Sequence, residues 1–234
     1  MKNNTPPTLT LFDFMQNVTY FMITGFLFLF SVLPMLLWLF FTSSNLLDVI
    51  AMGLMFPSLA ALVSCGVKYK ESEEKIKFRI LKHLFEGYKK NFKDTIKYCF
   101  IFAGILYVVL MGARSMEELS TWTMISLGLL ASFCLLIVTY MILVATKFQF
   151  NLKGLFKVGL YCLLMNFKIS VKILFVYVAL LFFYPILGVF PLLILASPAS
   201  YLMICFATPV FKEVYDLFVK KPDEPEKKIE DLLV

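Results

Sequence analysis

The apolar residues of this chain fall in continuous blocks, and each block is about the 20 residues that a helix needs to cross ~30 Å of hydrocarbon. Such blocks put apolar side chains on every side of a helix, so they do not describe one buried soluble core. Composition agrees. Hydrophobic residues make up 60 % of the 234 residues and charged ones 16 %, against roughly 45–50 % and about 25 % in soluble domains. With 26 Phe and 12 Met the faces of these helices suit lipid tails. The expected fold is all-α, a polytopic membrane bundle of about six transmembrane helices.

The first span runs near Tyr20 to Phe41 and carries Pro34, which should kink it. The second covers Val49 to Val67 and contains Gly53 and Pro57. The third covers about Lys97 to Met111, and the fourth Trp122 to Ala145. The apolar stretch from Ile173 to Phe211 is 39 residues, too long for one span. Tyr184, Pro185, Gly188 and Pro191 lie in its middle, so it divides into helices of about 173–188 and 192–211. One long span plus a surface helix is the alternative.

Three regions result: an N-terminal segment 1–19, a single membrane domain 20–211 and a charged, flexible tail 212–234. The N-terminus does not read as a cleavable signal peptide, because only Lys2 is basic ahead of the first span and no small-residue cleavage site follows it. The tail mixes five lysines and seven acids with Pro222 and Pro225; Ile229, Leu232, Leu233 and Val234 form a possible docking end.

Orientation follows from lysine and arginine placement. Residues 68–97 hold ten basic side chains, and residues 147–172 hold five lysines and no acid. The connections 42–48 and 113–121 hold one basic residue between them, Arg114. Long basic loops are therefore expected at the cytoplasmic face of a cell membrane, with both termini on that side. The charge sits beside spans rather than on a folded soluble face, so no nucleic-acid partner is expected.

Two segments between spans are amphipathic. In 76–92, Ile76, Ile80, Leu81, Leu84, Phe85, Tyr88 and Phe92 recur at three- and four-residue spacing, with lysines in between. In 150–163, Phe150, Leu152, Leu155, Phe156, Leu160 and Leu163 stand against Lys153 and Lys157. Both are expected as interfacial helices in the headgroup layer.

These segments belong to an internal match. NFKDTIKYCFIFAGILY at 91–107 pairs with NFKISVKILFVYVALLF at 166–182, and LKHLF at 81–85 pairs with LKGLF at 152–156. The unit is span, interfacial helix, span, at about 49–111 and 122–188. Both copies enter and leave on the same side, so they are parallel repeats related by a pseudo-two-fold along the membrane normal.

Catalytic signatures are missing. Asp and Glu are absent from the centres of the apolar blocks, His83 is the single histidine, and there is no Walker motif or GxSxG. The five cysteines, at 65, 99, 134, 162 and 205, have no tight spacing and read as small buried hydrophobes. No enzyme activity, cofactor or metal is expected. Asn91 and Asn166 stand where each interfacial helix turns into its span, either capping it or meeting lipid phosphate or a partner loop. Lys97 and Lys172 open the third and fifth spans and should snorkel to phosphates. Gly53, Pro57 and Ser58, and Pro198, Ser200, Thr208 and Pro209, interrupt their spans and suit close packing.

FRILKHLFEGYKKNFKDTIKY, Phe78 to Tyr98, resembles the first cytoplasmic segment of the YesL-like membrane proteins of Gram-positive bacteria. Phe78, Arg79, Tyr88, Lys89, Asn91, Phe92 and Lys93 carry the likeness, after a span with Gly53, Pro57, Ala60 and Ala61. Phe150, Asn151, Leu152 and Lys153 resemble a later stretch of the family. Phe167 and Lys168 replace its usual proline there. The resemblance implies an integral membrane protein without an active site and an accessory role in sugar uptake, beside a carbohydrate ABC importer or a membrane sensor. A small passive or facilitative solute transporter, with a site between two repeats, is the alternative. The residues expected to meet a partner or membrane lipid are Arg79, Lys82, Lys89, Lys90, Asn91, Lys93, Lys153, Lys157, Asn166 and Lys168.

Overall fold

The structure is a computed structural model that describes residues 11–41, 45–71, 80–115 and 121–219. Among them every regular element is helical: α1 (Leu11–Phe41), α2 (Asn45–Glu71), α3 (Ile80–Ser115), α4 (Thr121–Lys147), α5 (Leu152–Met165), α6 (Phe167–Leu187) and α7 (Val189–Val214), then one π-helical turn, Tyr215–Val219. Two stretches are long and apolar enough to cross a membrane alone, Ile125–Lys147 and Ile194–Val219. The α5–α6 pair passes the same test jointly, though bent by 96°. The described residues thus hold two or three candidate crossings, as befits a membrane protein, and Asn17–Leu33 and Thr95–Ile105 add shorter apolar helices.

The core lies around the second half of α4. Tyr140, Met141, Ile142, Leu143 and Val144 are all buried, together with Ile173 of α6 and Ile204, Ala207 and Val210 of α7. Five consecutive buried residues mean that α4 is enclosed on all sides, as an apolar helix without a polar stripe should be. α7 packs on α1, α2, α4 and α6. Its tightest contact is with α1, where a Cβ on Gly25 would come within 2.6 Å of the Ile194 carbonyl oxygen. Beside it the Thr24 and Ser197 hydroxyls share a hydrogen bond.

The long apolar stretch does divide in two. Pro185 stays inside α6, and the break falls at Gly188, whose φ is +75°. That left-handed backbone suits a residue without Cβ. At its other end α7 runs past the expected start of a flexible tail. Residues 212–214 complete the helix and 215–219 the π turn. Residues 220–234, like the N-terminal residues 1–10, lie outside the described residues.

The amphipathic segments differ from expectation in what covers them. Each folds back on the helix before it. Gly87 of α3 is buried where a Cβ would sit 3.1 Å from Ser64 Cβ and 3.4 Å from the Ala61 carbonyl of α2. Gly159 of α5 faces Met141 Cγ at 3.0 Å and the Ile137 carbonyl at 3.5 Å on α4. Leu155, Val158, Cys162 and Leu163 are buried along with Gly159. Lipid tails are as apolar as these side chains, so close packing decides the matter, and a small residue at the contact lets two helices approach.

The two units part company at their asparagines. α3 passes through Asn91 without interruption, so no turn separates an interfacial helix from a span there. α5 does end, at Met165, and α6 leaves at 96° after the single turn residue Asn166. Identical Asn-Phe-Lys openings thus take different backbones.

Candidate functional site at the basic end of the bundle

The lysine-rich helix ends gather at one end of the bundle. Lys70, in the last turn of α2, donates to Thr208 Oγ1 on α7. Lys147, the last residue of α4, lies over the Phe211 ring of α7 at 4.7 Å, and Lys172 of α6 over Phe206 at 5.7 Å. Cation–π contacts of this kind hold an ammonium at the edge of an apolar region.

At the start of α3 a small charge network ties it to α2. Lys68 Nζ donates to Glu86 Oε2 at 3.2 Å and lies 3.2 Å from His83 Nδ1. Lys82 Nζ is 3.9 Å from Glu86 Oε1. The hydrogen bond from Lys68, with the charges of Lys68, Lys82 and His83 behind it, holds the Glu86 carboxyl below its usual range.

A second carboxylate closes the other side. Glu213 of α7 accepts from Tyr161 Oη at 2.7 Å and from Asn166 Nδ2 at 2.9 Å. Asn166 caps nothing with its side chain. Its main-chain oxygen accepts from Ile169 N and Ser170 N, while its amide reaches Glu213. The capping asparagine is Asn151, whose Oδ1 accepts from Gly154 N at 2.8 Å at the start of α5.

Of the expected contact residues, Lys82, Lys89, Lys153, Lys157 and Lys168 are exposed, and Asn166 is half-buried at the elbow. Lys90, Asn91 and Lys93 lie within α3, and Arg79 lies outside the described residues. The structure brings Asn166 to Glu213, which the sequence reading had placed in the tail. An aromatic group with no sequence signature lies between α1, α2 and α7. Tyr20 stacks on Tyr69 with centroids 3.7 Å apart, Phe21 and Tyr201 pack at their edges, and Tyr20 Oη meets Cys65 Sγ at 3.4 Å. A tyrosine at helical spacing in an apolar block gives no sign of partners 45 or more residues away.

Deeper in the bundle, Leu59 and Val63 of α2, Thr139 of α4, Tyr177 of α6, and Ser200 and Met203 of α7 help to line a cavity of about 60 Å³. Its polar groups are already engaged. Thr139 and Tyr177 share a 2.6 Å hydrogen bond, and Ser200 donates to the Ser197 carbonyl. Small-molecule sites usually have roughly 300–1,000 Å³. Among the described residues no cluster of three or more His, Cys, Asp or Glu could hold a metal ion.

A family model described as "Protein of unknown function, DUF624" matches residues 27–113, from the middle of α1 to near the end of α3. The chain is similar to that family over this stretch. No curated protein and no solved structure matches it.

Proposed function

We propose that this chain is a non-catalytic membrane accessory protein that meets a cytoplasmic or membrane partner through its basic end. The observation that carries the reading is the unequal use of charge there. Glu86 and Glu213 are both engaged within the fold, while Lys82, Lys89, Lys153, Lys157 and Lys168 stay exposed. Two carboxylates engaged within the fold beside outward lysines favour acidic partners and speed their encounter.

The partner class comes from the resemblance to YesL-like proteins: a carbohydrate ABC importer or an associated membrane sensor, at the cytoplasmic face of the cell membrane. Affinity capture of the full chain in mild detergent, from the cell that produces it, tests this. Recovery of importer subunits is expected, and it should fall in a variant with the five exposed lysines changed to glutamine. Capture without any importer or sensor component overturns the reading.

Facilitative solute passage between the two units is the second reading, and one observation bears on it. The cavity lies between α2 of the first unit and α4 and α6 of the second. At about 60 Å³ it has room for a water or two rather than a sugar. Solute flux into proteoliposomes above that of empty vesicles would restore this reading.

A further inference from the structure

The motif Leu-Lys-x-Leu-Phe occurs twice, at 81–85 and 152–156, and both copies turn the same two side chains outward. On α3, Lys82, Phe85 and Lys89 are exposed, Phe85 by 70 %. Their spacing of three and four residues places them on one face. On α5, Lys153, Phe156 and Lys157 are exposed, Phe156 by 44 %. The opposite faces of both helices are used up against α2 and α4 through Gly87 and Gly159.

An aromatic ring left open between two ammonium groups is unfavourable in plain water, and it has a natural cover at a bilayer edge. Two facts name the cover. The lysines complement a phosphate, and Glu86, the acid described beside Lys82, is already bonded to Lys68. On the α5 side the outward apolar surface continues into α6, where Phe167, Phe175 and Leu181 are each about 70 % exposed. Such a continuous apolar face next to membrane-crossing helices belongs to lipid tails.

We infer that Lys82, Phe85 and Lys89, and separately Lys153, Phe156 and Lys157, form two sites for anionic phospholipid. The lysines take the headgroup phosphate and the ring lies among the first acyl carbons. This goes beyond the accessory reading. It draws on four of the five exposed lysines that the accessory reading also uses, so their loss is read separately in lipid retention and in partner capture.

The test is native mass spectrometry of the full chain released from micelles doped with equal phosphatidylglycerol and phosphatidylcholine. The wild-type chain should retain phosphatidylglycerol in preference, with about two tightly held molecules. Changing Lys82, Lys89, Lys153 and Lys157 to glutamine should abolish the preference, at about fivefold for each lysine. The same four positions as arginine should keep it, which separates lost charge from lost folding. Phe85→Ala with Phe156→Ala should lower retention of both lipids and leave their ratio alone. A glutamine variant that still prefers phosphatidylglycerol, or an arginine variant that loses the preference, overturns the inference. So does a glutamine variant that loses its captured protein partner and keeps its lipid, since the patches then belong to that partner. Importer capture is a separate readout, so failure here and failure of the accessory reading are told apart.

Discussion

Glu213 accepts a hydrogen bond from Asn166 Nδ2 at 2.9 Å, and this contact joins the end of α7 to the elbow between α5 and α6. The same carboxylate holds Tyr161 Oη at 2.7 Å. An elbow of 96° leaves main-chain groups outside the helical ladder, and a pinned side chain beside it fixes the angle.

Glu213→Ala removes both acceptors at once. It should destabilise the protein by about 1–3 kcal/mol, the cost of orphaning partly buried donors. Tyr161→Phe should cost less, because Glu213 keeps Asn166. Thermal unfolding in detergent, followed by the fluorescence of a thiol-reactive dye at the buried cysteines, measures both.

Gly25→Ala puts a methyl 2.6 Å from the Ile194 carbonyl, a main-chain atom that cannot swing away. Forcing α1 from α7 should cost about 1–3 kcal/mol. Gly128 has nothing within 4 Å of its would-be Cβ. Gly128→Ala should therefore be neutral or stabilising by up to ~1 kcal/mol, through helix propensity alone. The difference between the two melting points is the result to read.

Tyr140 is fully buried, and its hydroxyl meets Ser170 Oγ at 2.9 Å. Tyr140→Phe should cost about 0.6 kcal/mol, the average for side-chain hydrogen bonds between membrane helices, and no more than about 1.7 kcal/mol. A double-mutant cycle with Ser170→Ala tests whether the two effects are coupled. Full additivity would show that the pair contributes nothing beyond its members.

The Glu86 carboxyl is held below its usual range, so its network stabilises the fold above the ordinary carboxylate range. That stability is lost as pH falls through the lowered value, when the carboxylate takes up its proton. The side chains of the pair are 41 % and 45 % exposed, so the effect should be small and screened by salt. Glu86→Gln should flatten the acid limb of the melting-temperature profile at low salt and change little at high salt.

Helix content and the place of one break were legible in the sequence. Tyr184, Pro185, Gly188 and Pro191 mark a region where a helix is weak, and the chain uses Gly188 within it. Periodicity also located the apolar stripes of α3 and α5. It did not say what covers them, since an apolar stripe looks the same whether lipid or another helix lies against it. Gly87 and Gly159 were the available sign of helix contact, and each is a single letter in a long run. The asparagines show the limit most directly. Asn91 and Asn166 open matching segments, yet α3 runs straight through Asn91 while the chain turns at Asn166, which meets Glu213, 47 residues away in the chain. Glu213 follows an apolar block and opens a run of mixed charge, which in sequence looks like the start of a tail.

Finally, α3 has 36 residues, which at 1.5 Å each makes a rod of about 54 Å. Even at a 40° tilt, ~30 Å of hydrocarbon accommodates only about 39 Å of helix. A crossing by α3 would leave at least ~15 Å of it outside the acyl chains, with α2 packed beside it. In that arrangement the surplus length lets the first turns, with Lys82 and Lys89, reach the headgroup layer while the apolar remainder still spans.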